Sequence, residues 1–159
     1  MSTRPYRVLT VCLGNICRSP TAEAALREAA AERGVDLEVR SAGTGDWHVG
    51  APPNPPMVAA AANLGLTVDG AGAQVTPADL VWADLVVAMD RHNLADVRHM
   101  ADIAGVDTPI RRFREFDPDA DDDLDVPDPY GGAADGFTEV VTICRRTAPH
   151  VLDALEAGT

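Results

Sequence analysis

A cysteine and an arginine separated by five residues, Cys12 and Arg18, enclose a short loop that also holds Leu13, Gly14, Asn15, Ile16 and Cys17. Gly and Asn are the residue types that most readily take φ > 0, as a loop of converging backbone N–H groups requires. Such a ring of N–H dipoles, with an arginine beside it, favours thiolate over thiol at Cys12, and the thiolate is the nucleophile. The Arg18 guanidinium can grip two phosphate oxygens at once. Ser19 follows, placed to cap a helix or to donate a hydrogen bond to the sulfur. A phosphate in this cradle has its phosphorus in line with Cys12, and the chemistry implied is metal-free phosphoryl transfer to sulfur. A leaving phenolate also needs a proton. Asp128, held between Pro127 and Pro129, is a carboxyl group on a stiffened backbone.

These residues need elements to position them. Val8 to Val11 reads as a buried strand, and the alanine-rich run from Pro20 as a helix, so the loop joins a strand to a helix N-terminus and shares its dipole. Val35 to Arg40 reads as a second strand, turned by Ser41 to Gly45, and Leu85 to Ala88 as a third. Thr108 to Phe113 reads as a weaker fourth. Helices are predicted from Pro55 to Gly65, from Thr76 to Ala83, from Asp90 to about Ala104 and from Phe137 to Glu156, with a kink at Pro149. Strand and helix alternate, so the expected fold is α/β: a four-stranded parallel sheet with helices on both faces and the phosphate-binding loop after the first strand. Sites in such folds lie at the carboxyl ends of the strands, where Cys12, Ser41 and Asp90 all fall.

The 159 residues are expected to form one domain, 1–159. No apolar run reaches the length of a membrane span, and the N-terminus lacks the apolar stretch of a signal peptide. Three cysteines do not make a disulfide framework, so a cytoplasmic location is expected, with export by another route left open. The net charge is −12, and all 13 basic residues are arginine. That balance disfavours nucleic acid and anionic lipid as partners. A zinc site on Cys12 and Cys17 has no further ligand nearby in sequence. The aspartates from Asp117 to Asp128 resemble a calcium loop in spacing. Asp122 stands where glycine is needed and Asp128 where glutamate is, so a solvated acidic loop is the better account of most of them. With aromatics at 4% of the chain, Trp47 in a Gly/Pro-rich loop reads as a wall beside the site rather than a core anchor, with His48 at its rim.

The segment Val11-Cys12-Leu13-Gly14-Asn15-Ile16-Cys17-Arg18-Ser19-Pro20 resembles the phosphate-binding loop of the low-molecular-weight protein tyrosine phosphatases. Ser41-Ala42-Gly43-Thr44, Met89-Asp90 with Asn93, and Asp125-Val126-Pro127-Asp128-Pro129-Tyr130 extend the resemblance over essentially the whole chain. It implies hydrolysis of phosphotyrosine in proteins, releasing inorganic phosphate, through a cysteinyl-phosphate on Cys12. Arg18 would be the phosphate clamp and Asp128 the general acid and base, with no cofactor and no metal. Substrate would be bound by Leu13, Gly14, Asn15, Ile16, Cys17 and Ser19 of the loop and by Trp47 and Tyr130, which is expected to face the tryptophan. Asn15 and Ser41 would brace the loop. Cys12 and Cys17 share one tight loop and are expected to form a disulfide under peroxide. Ile16 matches the tyrosine phosphatases, where arginine phosphatases of the same fold carry threonine. Gly131, where a second tyrosine is common, points the other way. Arsenate reductase chemistry would need further redox cysteines, and only Cys144 remains, on the last helix. A binding module without turnover would need loss of Cys12, Arg18 or Asp128, and all three are present.

Overall fold

The computed structural model describes residues 4–130, 132 and 134–158. Ten elements follow in order: β1 (Tyr6–Cys12), α1 (Arg18–Arg33), β2 (Leu37–Gly43), α2 (Pro55–Asn63), α3 (Pro77–Trp82), β3 (Leu85–Ala88), α4 (Arg91–Ala104), β4 (Ile110–Arg112), a 3-10 turn (Phe113–Phe116) and α5 (Ala134–Glu156). The four strands form one parallel sheet in the order β2-β1-β3-β4. Side chains alternate across a strand, and β1 shows it. Val8 and Cys12 join the core beneath α1, α2 and α5, whereas Leu9 and Val11 join the one beneath α3 and α4. Helices therefore cover both faces, as the alternating pattern predicts.

Several boundaries differ from the sequence reading. β2 continues through Ser41-Ala42-Gly43, because β1 supplies a pairing partner for each residue up to Cys12, which lies opposite Gly43. Helix α1 begins at Arg18, two residues before Pro20. A proline in the first turn costs little, since N–H groups there have no intrahelical acceptor. β4 shrinks to three residues before the 3-10 turn. Helix α5 starts three residues before Phe137 and runs on through Pro149.

Helix α1 ends where Gly34 takes φ 71° and returns its N–H to the Ala30 carbonyl. Among the described residues no helix is long and apolar enough to cross a membrane.

The acidic stretch before α5 is not uniformly solvated. Asp117 is buried and accepts hydrogen bonds from Arg114 Nε at 3.0 Å, from Arg146 Nε and Nη2 at 2.8 Å each, and from the Asp119 N–H. The Arg146 hydrogen bonds, with those from the Asp119 N–H and Arg114, hold its carboxyl far below the usual range against the opposing effect of burial. Asp125 accepts from the Arg91 N–H and from Arg112 Nη1. Two of the supposed calcium-loop carboxylates are thus bound to arginines, and the loop they belong to is fixed to α4 and α5.

Candidate active site

The loop from Leu13 to Cys17 closes around the Cys12 sulfur. Asn15 adopts φ 58°, and among the described residues no other non-glycine has a positive φ. Gly14, expected to share that conformation, does not. Its lack of a side chain serves a close approach instead, since a Cβ there would lie 3.1 Å from His48 Cδ2. Asn15 directs its N–H to Cys12 Sγ at 3.2 Å. Its side chain ties the loop in two directions, with Nδ2 donating to Ser19 Oγ at 2.8 Å and Oδ1 accepting from the Ala73 N–H at 2.9 Å.

Ser19 Oγ lies 2.9 Å from Cys12 Sγ. Since that oxygen already accepts from Asn15, its own hydrogen is free to point at the sulfur. Of the two roles foreseen for Ser19 it takes the second. Helix α1 has no side-chain cap from its N-cap residue, Cys17. Ser41, expected to brace the loop, lies near the Glu23 carboxyl and helps to lower its pKa against the larger opposing effect of burial. Gly43 of β2 also approaches the loop closely, since a Cβ there would sit 2.7 Å from the Leu13 carbonyl oxygen.

Arg18 is buried, and its Nη1 donates to Asp90 Oδ2 at 2.7 Å and to the Val126 carbonyl at 3.1 Å. Its Nη2 lies 3.7 Å from Asp128 Oδ2. Burial opposes the guanidinium charge, but Asp90, Cys12 and Asp128 outweigh it and raise its pKa. Asp90 starts helix α4, as its place after an apolar strand predicts, and accepts the Asn93 N–H as its N-cap. The ion pair with Arg18 is a second role that the spacing did not disclose. Burial pushes the Asp90 carboxyl up, and the N–H groups of Asn93 and His92 with Arg18 more than reverse it, so it lies below its ordinary value.

The cleft over this loop has a volume of about 290 Å³. Cys12, Cys17 and Arg18 line it along with Asp128, whose side chain is 50% exposed. Its outer walls are Ile16, Trp47, His48 and Tyr130. Tyr130 was expected to face Trp47. The ring that pairs with it is His48, at 6.3 Å between centroids and 58° between planes. Trp47 is 70% exposed, yet it lies close over the chain, as a Cβ on Gly45 would meet its ring carbon at 2.0 Å. Burial, together with negative charge at Cys12 and Asp128, pushes the Cys17 thiol up to about 12. Cys144 is fully buried in α5, and its thiol is likewise raised by desolvation. Gly131 lies outside the described residues.

A chain with this site is similar over residues 7–158 to the family described as low molecular weight phosphotyrosine protein phosphatase. A low molecular weight protein-tyrosine-phosphatase of Streptomyces coelicolor is 40% identical over 153 residues, covering 94% of this chain and 93% of that one. The crystal structure of a protein tyrosine phosphatase from Entamoeba histolytica superposes with a TM-score of 0.90 at 30% identity, covering 96% of this chain and 98% of that one. A Drosophila arginine phosphatase superposes with a TM-score of 0.85 at 29% identity, covering 94% and 97%.

Proposed function

Because this chain belongs to the low-molecular-weight phosphotyrosine protein phosphatase family, we propose that Cys12, Arg18 and Asp128 carry its hydrolysis of phosphotyrosine in proteins. One observation supports this most. The Cys12 sulfur, held by Ser19 and the Asn15 N–H, shares a single cleft with the anchored Arg18 and with Asp128.

The Cys12 thiolate attacks phosphorus, the S–P bond forms and the P–O(tyrosine) bond breaks. Arg18 and the loop N–H groups not spent on the sulfur hold the three equatorial oxygens. Asp128 gives its proton to the departing tyrosine oxygen. A water then attacks the cysteinyl-phosphate, Asp128 takes that water's proton, and phosphate and thiolate are released. Ser19 donates to the sulfur whenever it carries charge.

Ile16, Trp47 and Tyr130 give the cleft apolar walls suited to an aromatic ring, at about 0.5–1.5 kcal/mol per ring contact. The arginine phosphatase likeness keeps phosphoarginine as the second reading. The deciding measurement is kcat/KM on phosphotyrosine and phosphoarginine peptides, for wild type and Ile16→Thr. Wild type should prefer phosphotyrosine, and Ile16→Thr should shift the ratio toward phosphoarginine. A wild type that prefers phosphoarginine overturns the assignment. Cys12→Ser should be inactive on both, whereas Cys17→Ser should retain activity.

Cys17, a thiol at neutral pH, sits in the same loop as Cys12 and would trap an oxidised Cys12 as a disulfide. Peroxide inactivation that dithiothreitol reverses in wild type but not in Cys17→Ser would support that protection. Cytoplasmic residence fits three free thiols and is tested by fractionation.

A further inference from the structure

Trp47 and Leu13 form a partition with a cavity on each side. One is the catalytic cleft. The other, of about 230 Å³, has Val75 and Met100 as apolar walls, Thr44 and Gly45 beneath, and Asp96 of α4 at its edge. The partition is held in place. Gly45 donates its N–H to the Leu13 carbonyl at 2.9 Å, Thr44 donates to the Cys12 carbonyl at 2.9 Å, and the Trp47 ring rests against Gly45. The second cavity therefore begins at the residue that follows the nucleophile.

We infer that this second cavity is a subsite for a basic side chain flanking the phosphotyrosine of a substrate. The inference rests on the phosphotyrosine reading above. An extended peptide advances about 3.3 Å per residue, so a neighbour one or two residues from the phosphotyrosine can reach a cavity that shares Leu13 and Trp47 with the catalytic cleft. A lysine or arginine suits the lining. Its methylene stem packs on Leu13, Val75 and Met100, its charge meets the Asp96 carboxylate, and the exposed Trp47 ring offers a cation–π face. An acidic neighbour would meet Asp96 as a like charge. The catalytic cleft has Arg18 to neutralise its phosphate, but the second cavity has no basic residue in its lining.

The experiment uses a neutral phosphotyrosine peptide carrying either Arg or Glu at a single position up to two residues before or after the phosphotyrosine. At one position, Arg should exceed Glu in kcat/KM by about three- to fivefold more than at the other positions, as for a partly exposed charge pair. Asp96→Asn should erase that excess and leave p-nitrophenyl phosphate turnover unchanged. Asp102→Asn, the same charge loss further along α4, should leave the excess intact. A preference for Arg that is equal at every position reflects net charge and overturns the subsite, as does an excess that survives Asp96→Asn. Turnover of the neutral peptide without any positional preference removes the subsite alone. Turnover of phosphoarginine peptides with none of phosphotyrosine peptides removes the substrate reading and the subsite with it.

Discussion

Single side chains in this site have separable duties, and leaving-group chemistry can tell them apart. Asp128 is half exposed, lies 3.7 Å from Arg18 and shares the cleft with Cys12. Asp128→Asn should slow hydrolysis of a phosphotyrosine peptide by about a hundredfold. A nitrophenyl ester, whose leaving group hardly needs a proton, should lose far less. Asp123→Asn, in the exposed loop before α5, should leave both rates near wild type. An equal loss in the two aspartate variants would show that the wrong carboxylate has been assigned. At this scale the sequence was highly legible. Cys12, Arg18 and Asp128 line one cleft, as their types and flanking prolines and glycine suggest. The contact of Tyr130 with His48 was not legible, because ring pairing depends on how two loops meet. Gly14 is a similar case, since its need comes from the distant His48 rather than from its own turn.

At the scale of elements, Asp90 joins two functions that substitutions can separate. It caps α4 through the Asn93 N–H and it anchors Arg18 at 2.7 Å. Asn is as good an N-cap as Asp but lacks the charge. Asp90→Asn should therefore keep the cap, while kcat falls about tenfold through a loosened guanidinium and stability falls by about 3 kcal/mol, because the buried Arg18 loses its partner. Asp90→Ala should show that same loss of kcat and an additional cost of about 1 kcal/mol in stability. A normal kcat in Asp90→Asn would remove the anchoring role, and an Asp90→Ala no less stable than Asp90→Asn would remove the cap. The sequence showed the cap, since an aspartate after an apolar strand is a local signal. The ion pair spans 72 residues, from the start of α1 to the start of α4, and no local pattern carries it. The same reason explains β2. Its extension through Gly43 is set by pairing with β1, whereas Ser41 to Gly45 taken alone reads as a turn.

For the whole molecule, Asp117 is the electrostatic hinge between the loop before α5 and α5 itself, through Arg114 and Arg146. Its folded-state pKa is depressed, so the stability it contributes is fully present above the unfolded value of about 3.9 and is lost as pH falls toward the folded one. Asp117→Asn should lower stability at pH 7 by about 3 kcal/mol, as for a buried pair deprived of one partner. The gap between the two urea midpoints should hold from pH 7 to pH 5 and narrow below about pH 4. A gap that is constant down to pH 3 would remove the charge from this account. The alternation of strand and helix made the parallel sheet legible. The arginine contacts of Asp117 and Asp125 were hidden in a run of aspartates that composition alone makes look solvated.

The loop that carries Asp128, the proposed general acid, is tied to Arg18. Arg18 Nη1 donates to the Val126 carbonyl, and the Val126 N–H donates to the Met89 carbonyl at 2.7 Å, two residues from Asp128. With Val126 anchored on both sides, Asp128 is expected to reach the substrate without a large movement of its loop. Turnover should then contain no gating step of the kind that lids impose. Sucrose added to raise solvent viscosity should leave kcat unchanged, whereas a kcat that falls in proportion to viscosity would mean that a large-scale motion or product escape sets the pace.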